Sequence, residues 1–112
     1  MGDEPASLYL FREVDTGMIK VGVSSDPLRR LRNIQVGNAS PIELLALVGG
    51  DSRAMALWAE RLWKDKFVTS HKRGEWYHPT DDVLLAAETL EADWKSRAPT
   101  LRAGVPFFGD LG

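Results

Sequence analysis

A chain of 112 residues, 44% hydrophobic and 27% charged, has the make-up of one globular unit with a single core, too short for two ordinary domains. It has no apolar run that could span a bilayer, no apolar leader after the acidic Met-Gly-Asp-Glu start, and no cysteine for a disulfide or a thiolate metal site. A cytoplasmic protein without membrane contact is therefore expected. The net charge of −2 argues against a protein that coats nucleic acid by charge alone, yet residues 20–73 hold ten Lys/Arg against five Asp/Glu, between acidic ends. Such clustering suits phosphate binding. A solvated face on two helices would give the same count.

The first predicted element is a strand over residues 7–14, with Leu8 and Leu10 on one face and Tyr9 and Phe11 on the other. Asp15-Thr16-Gly17 is a hairpin turn into a second strand, where Ile19, Val21 and Val23 alternate with Met18, Lys20 and Gly22. Asp26 is an N-cap, and Pro27 falls at the first helical position, where its missing N–H costs nothing. Leu28, Leu31, Ile34 and Gln35 continue at helical spacing to about Val36, and Gly37-Asn38 stops the helix. Arg29, Arg30 and Arg32 project from its flanks. Arg30, one turn in, is placed to meet Lys20 on one anion, and a phosphate suits that geometry.

Pro41 precedes a third strand over residues 42–48. Asp51 or Ser52 then caps the longest helix, about residues 53–69, with Ala56, Ala59, Leu62, Trp63, Lys66 and Phe67 as its stripe and Glu60 beside it. Residues 70–74 read as a basic loop carrying Lys72 and Arg73, and Glu75-Trp76-Tyr77 as a short extended piece. Thr80 caps a last helix that has Asp81 and Asp82 in its first turn, runs to about Arg97 and is ended by Pro99. The order β-β-α-β-α-α predicts an α+β domain over residues 1–98, with a Pro/Gly-rich tail over 99–112 whose Phe107-Phe108 pair either docks or stays loose.

The same residues carry a family resemblance. Lys20-Val21-Gly22, with Arg30 ten residues after Lys20, resembles the second half of the GIY-YIG nuclease motif. Ser7-Leu8-Tyr9 falls where that family has Gly-Ile-Tyr, and Glu60 where it keeps a metal-binding glutamate on a helix. Arg73-Gly74-Glu75-Trp76-Tyr77 is similar to a Gly-Glu-Trp/Phe signature of the phage-associated branch. The resemblance covers roughly residues 7–90. It implies a small, largely antiparallel three-stranded sheet flanked by helices, and an endonuclease that cuts DNA phosphodiesters with Mg²⁺ or Mn²⁺.

Phosphodiester hydrolysis needs a positioned water, an acceptor for its proton, and positive charge on the phosphoryl oxygens. Arg30 stands at the family's catalytic arginine, and its guanidinium fork matches two phosphate oxygens. Glu60 offers a hard oxygen to a divalent ion that keeps most of its waters, although a plain i,i+4 pair with Lys64 fits the sequence too. In the family the Tyr9 phenol orients or deprotonates the water. An ordinary phenol is a weak base near neutral pH, so for that role it would need nearby positive charge or a metal to lower its pKa, and Lys20 and Arg30 are the candidates to supply the charge. Lys20 stands where the family usually has a second tyrosine, though the phage-associated branch often has lysine. It would bind phosphate as a point charge or act as the base, which leaves the proton acceptor open.

Arg29, Arg32, Lys64, Lys72 and Arg73 are the expected nucleic-acid contacts. Glu75, Trp76 and His78 form a second tier. Glu75 is either another acid at the site or a loop partner for Arg73 or another cation. Trp76 stacks on a base or, as favoured here, packs in the core. His71 and His78 make no zinc pattern. DNA is the expected partner, with RNA left open, and two cuts in a duplex call for a homodimer or for sequential nicking. Two rival readings stand beside the nuclease. One is a catalytically degenerate module that binds nucleic acid or a protein partner. The other is an unrelated α+β enzyme, whose mark would be Tyr9, Gly22, Arg30 and Glu60 on different faces.

Overall fold

Leu8 and Leu10 point one way from the first strand and Tyr9 and Phe11 the other, and this alternation sorts the molecule into three layers. The computed structural model describes residues 4–102. Its elements are β1 (Ser7–Glu13), β2 (Ile19–Ser24), α1 (Pro27–Val36), β3 (Ile42–Gly49), α2 (Arg53–Lys66), β4 (His71–Arg73), β5 (Trp76–Tyr77) and α3 (Asp81–Arg102), with a short 3-10 turn, Val68–Ser70, after α2. The strands form one antiparallel sheet in the order β3-β1-β2-β5-β4.

The expected three-stranded sheet is thus corrected to five strands among the described residues. The basic loop and the extended piece after it fold as a hairpin, β4–β5. Its two-residue connection, Gly74-Glu75, has Gly74 at φ 57°, a positive value that glycine adopts at no steric cost. Strand β5 then adds to β2, pairing Tyr77 with Ile19 and Trp76 with Lys20. Strands this short carry little period-two signal, which is why a loop is the natural expectation from sequence.

Helix ends follow local chemistry. Asp26 accepts a hydrogen bond from the Arg29 backbone N–H and caps α1, with Pro27 at its first position. Ser52, of the two candidates, caps α2 by accepting from the Met55 N–H at 3.2 Å. Helix α2 stops at Lys66, short of the expected residue 69, and its last stretch tightens into the 3-10 turn. Helix α3 continues through Pro99 to Arg102, so Pro99 is not its end. The rest of the expected tail, residues 103–112 with Phe107-Phe108, lies outside the described residues.

On one sheet face, Leu8, Leu10, Ile19, Val21, Ala46 and Val48 pack against Ala59, Trp63 and Phe67 of α2 and Val83, Ala87 and Leu90 of α3. On the other, Tyr9, Phe11 and Ile42 are covered by Leu31 and Ile34 of α1 together with Leu47 and Trp76. The two rings of β1 stack, with centroids 4.2 Å apart and planes 16° off parallel. No residue of α1 is fully buried, and Leu28, placed by its spacing on the apolar stripe, is 53% exposed. The second layer is thin.

Candidate active site

Four side chains meet on the thin-layered face where β1 and β2 run side by side. Tyr9 lies opposite Gly22 in the β1–β2 ladder. A Cβ at Gly22 would fall 2.3 Å from Tyr9 Oη and 2.7 Å from Glu75 Oε1, so only glycine leaves room for the phenol and the carboxylate to cross β2 there. Tyr9 Oη donates a 2.8 Å hydrogen bond to Glu75 Oε1 and accepts a longer one, 3.4 Å, from Arg30 Nε. Lys20 Nζ stands 3.4 Å from the same Glu75 oxygen and 5.0 Å above the Trp76 ring.

Each member is placed by an element of its own. The ladder fixes Tyr9 and Lys20, while the capped first turn of α1 aims Arg30 back across the sheet. The β4–β5 tip brings Glu75, whose carbonyl accepts from the Val21 N–H at 2.9 Å. Arg30 sits at the surface; its side chain donates to Tyr9 through Nε, and its backbone N–H donates to Asp26 O at 3.0 Å within the capped first turn.

The electrostatics correct one expectation. Burial pushes the Tyr9 phenol up to about 12; Arg30 opposes the rise, and the hydrogen bond and charge of Glu75 add to it. Lys20 and Arg30 do not make this phenol acidic. Near neutral pH Tyr9 keeps its proton and gives it to Glu75 as a hydrogen bond. Arg30 in turn has its pKa raised by its bond to Tyr9 and so remains a fixed cation.

Glu60 comes from a different layer. It belongs to α2, on the opposite face of the sheet from α1, and its mostly buried carboxylate pairs with Lys64 at 3.7 Å, the i,i+4 arrangement. One link runs between the faces. Burial pushes the Tyr77 phenol up to about 12, with Glu60 and Glu75 both adding to the rise, so the two carboxylates act on a single ring. Among the described residues no three His, Asp or Glu side chains gather as a metal cage. That excludes an all-protein cage among them, whereas an ion such as Mg²⁺ would need only one protein carboxylate, such as that of Glu60, with water and phosphate completing its shell.

The expected nucleic-acid contacts divide between regions. Arg29 and Arg32 are exposed on α1 next to Arg30. Lys72 and Arg73 rim a depression of about 220 Å³ shared with Glu13, Met18, Asn38 and Trp76. Lys64 lines a different one with Val68, His71, Gly74 and Tyr77. Trp76 is half-buried and packs beside the Tyr9–Phe11 pair, in keeping with the packing role favoured for it. His78 is exposed; its backbone N–H donates to Ser70 O and its carbonyl accepts from the Thr80 N–H, both at 2.8 Å. Glu75 takes Lys20 rather than Arg73 as its cation.

Sequence reasoning placed Glu75 in the second tier, whereas the fold puts it at the centre. Two signals pointed there: a Gly-Glu pair able to form a tight turn after a basic run, and a glycine within a strand opposite a tyrosine. No protein-family model matches the chain, and no curated protein or solved structure matches it either, which leaves the geometry of these side chains as the guide to what the molecule does.

Proposed function

We propose that this chain is a GIY-YIG-type, metal-dependent endonuclease that hydrolyses DNA phosphodiester bonds at the Tyr9–Lys20–Arg30 cluster. The observation that carries this reading is the meeting of the Tyr9 phenol with the Arg30 guanidinium and, through the shared Glu75 oxygen, with the Lys20 ammonium, where Gly22 leaves room for phenol and carboxylate. The Nη groups of Arg30 bind two phosphoryl oxygens and stabilise the charge that grows on them. Lys20 adds a second positive charge nearby. Tyr9 Oη, which donates to Glu75 and accepts from Arg30, has one lone pair left to accept a hydrogen from the attacking water. Glu60 is the residue to hold Mg²⁺ or Mn²⁺, which when bound supplies Lewis-acid stabilisation to the phosphoryl group and the departing oxygen.

Cleavage of supercoiled plasmid in Mg²⁺ or Mn²⁺ tests this reading. Nicking is expected from the wild type, with near-complete loss in Arg30→Ala at a stability change within about 0.5 kcal/mol, because Arg30 is a surface side chain. Glu60→Ala is expected to remove the metal requirement together with the activity. An Arg30→Ala protein that still cuts overturns the assignment.

A second reading keeps the cradle and drops the chemistry, leaving a module that binds nucleic acid or a protein partner. The pairing of the Glu60 carboxylate with Lys64 favours it. Salt-dependent DNA binding by a folded protein that cuts nothing is its signature.

A further inference from the structure

We propose that Glu75 is the proton acceptor of this site, reached through the Tyr9 hydroxyl and held in position by Lys20 at the tip of the β4–β5 hairpin. The inference rests on the hydrolytic reading above and names the group that reading leaves open. Tyr9 is the wrong acceptor, because its hydroxyl already points its proton at Glu75 Oε1, 2.8 Å away. Lys20 is also wrong. Its Nζ engages a carboxylate and the face of an indole, two contacts that use its positive charge. Glu75 supplies the cluster's carboxylate, and its Oε1 already accepts from the Tyr9 hydroxyl, the group that faces the water.

Its placement is built rather than incidental. Gly74 supplies the positive φ of the turn, the Glu75 carbonyl is bonded to the Val21 N–H, and the missing side chain of Gly22 leaves the space that the carboxylate fills. Tyr9 reaches it from β1, Lys20 from β2, and Arg30 acts on it from α1. Tyr77 of β5 feels its charge, and Glu60 of α2 acts on that same Tyr77 ring.

The step balances as follows. The water oxygen forms its bond to phosphorus while the bond from phosphorus to the departing sugar oxygen breaks. The proton of the water moves to Tyr9 Oη as the phenol proton moves to Glu75 Oε1. The departing oxygen takes a proton from solvent, and Glu75 later releases its own to solvent. The products are a phosphate monoester and an alcohol, and Tyr9 ends as it began. Its high affinity for its proton suits a relay that never rests as phenolate.

Plasmid nicking by Glu75→Gln across a range of pH tests this. The amide keeps the size of the side chain and an oxygen for Tyr9, but takes no proton. The expected result is a fall in kcat of about 100-fold or more, within the usual range for a lost general base. KM for DNA should stay level or drop, since one negative charge leaves a phosphate site. The wild-type rate should fall on the acid side, and that limb should vanish in the variant. Tyr9→Phe combined with Glu75→Gln should lose no more than the worse single change, since both lie on one proton path. A Glu75→Gln protein that nicks at the wild-type rate with the acid limb intact overturns the role of Glu75 and leaves the nuclease standing. A lowered rate with the limb intact marks a residue that only holds the hairpin, and it overturns the role equally. Absence of nicking by the wild type itself is a different result: it retires the hydrolytic reading, and this inference with it.

Discussion

The two faces of the sheet are held by different physics. The α2/α3 face is an apolar layer in which Trp63 is wholly buried against Phe67 and Tyr77, at centroid distances of 4.4 and 6.1 Å. The α1 face has two stacked rings beneath a helix with no fully buried residue. What fastens that helix is polar. The Gln35 side chain accepts from the Ile42 N–H at 2.7 Å and donates to the carbonyls of Asn38 and Ser40, tying the end of α1 to the start of β3. Asn38 donates to Glu13 at 2.8 Å, tying the same loop to β1. Burial is non-directional and tolerates no polar intruder, whereas a thin, hydrogen-bonded layer can hold charged side chains at the surface. The candidate site lies on the second kind of face.

The sharpest way to break this comparison is to empty each layer in turn. Trp63→Ala removes the largest fully buried side chain and should cost about 3–5 kcal/mol, enough to unfold much of a marginally stable domain. Leu31→Ala on the thin face should cost only about 1 kcal/mol, because that side chain is not fully buried. Urea midpoints compare the two. Equal losses would mean that the layers are not energetically distinct.

Gly22→Ala sharpens the contrast within one strand. Its backbone is ordinary, but the new Cβ meets Tyr9 Oη and the Glu75 carboxylate inside contact distance, so the polar side must yield. Overpacking of this kind costs about 1–3 kcal/mol. The larger effect should fall on the site, with the Tyr9–Glu75 bond broken and any nicking activity lost while α2 and α3 stay packed. Backbone amide shifts confined to Tyr9, Gly22 and the β4–β5 tip, in a two-dimensional NMR spectrum, would report it. Shifts spread through α2 and α3 would show the faces to be coupled.

Much of the framework was legible because it is local. Alternation in residues 7–14 and 18–23 separates the faces of β1 and β2, and Asp26-Pro27 states where α1 begins. The extent of the sheet was not legible. Strands β4 and β5 span three and two residues, and what joins them to the sheet is the pairing of β5 with β2 far along the chain, an interaction that no local pattern records. In the site, Tyr9, Lys20 and Arg30 were legible as candidates by spacing and type. Their common partner was not, because Glu75 reaches them through that same long-range pairing. The direction of the Tyr9 shift was missed for a related reason. Counting nearby cations predicts a fall, but the burial of the ring and the bond to Glu75 exist only once the sheet is folded.

The smallest expected effect is a pH dependence peculiar to the α1 face. Glu13 has its pKa lowered first by the hydrogen bond from Thr16, then by that from Asn38, with Lys72 adding a favourable charge. A folded value below the unfolded one means that the unfolded chain takes up the proton first as pH falls. The contribution of Glu13 is therefore complete above its unfolded pKa and is lost as pH drops through the folded one. Glu13→Gln should flatten this acid slope while leaving the urea midpoint at pH 7 a little lower, a modest change because the carboxylate is close to solvent. Hydrogen exchange locates the loss. Amides of α1 and of the Gly37–Ser40 loop should open sooner in acid in the wild type, and those of α2 and α3 should not. Uniform opening of all three helices would mean that the Glu13–Asn38 bond fastens the whole domain rather than its thinner layer.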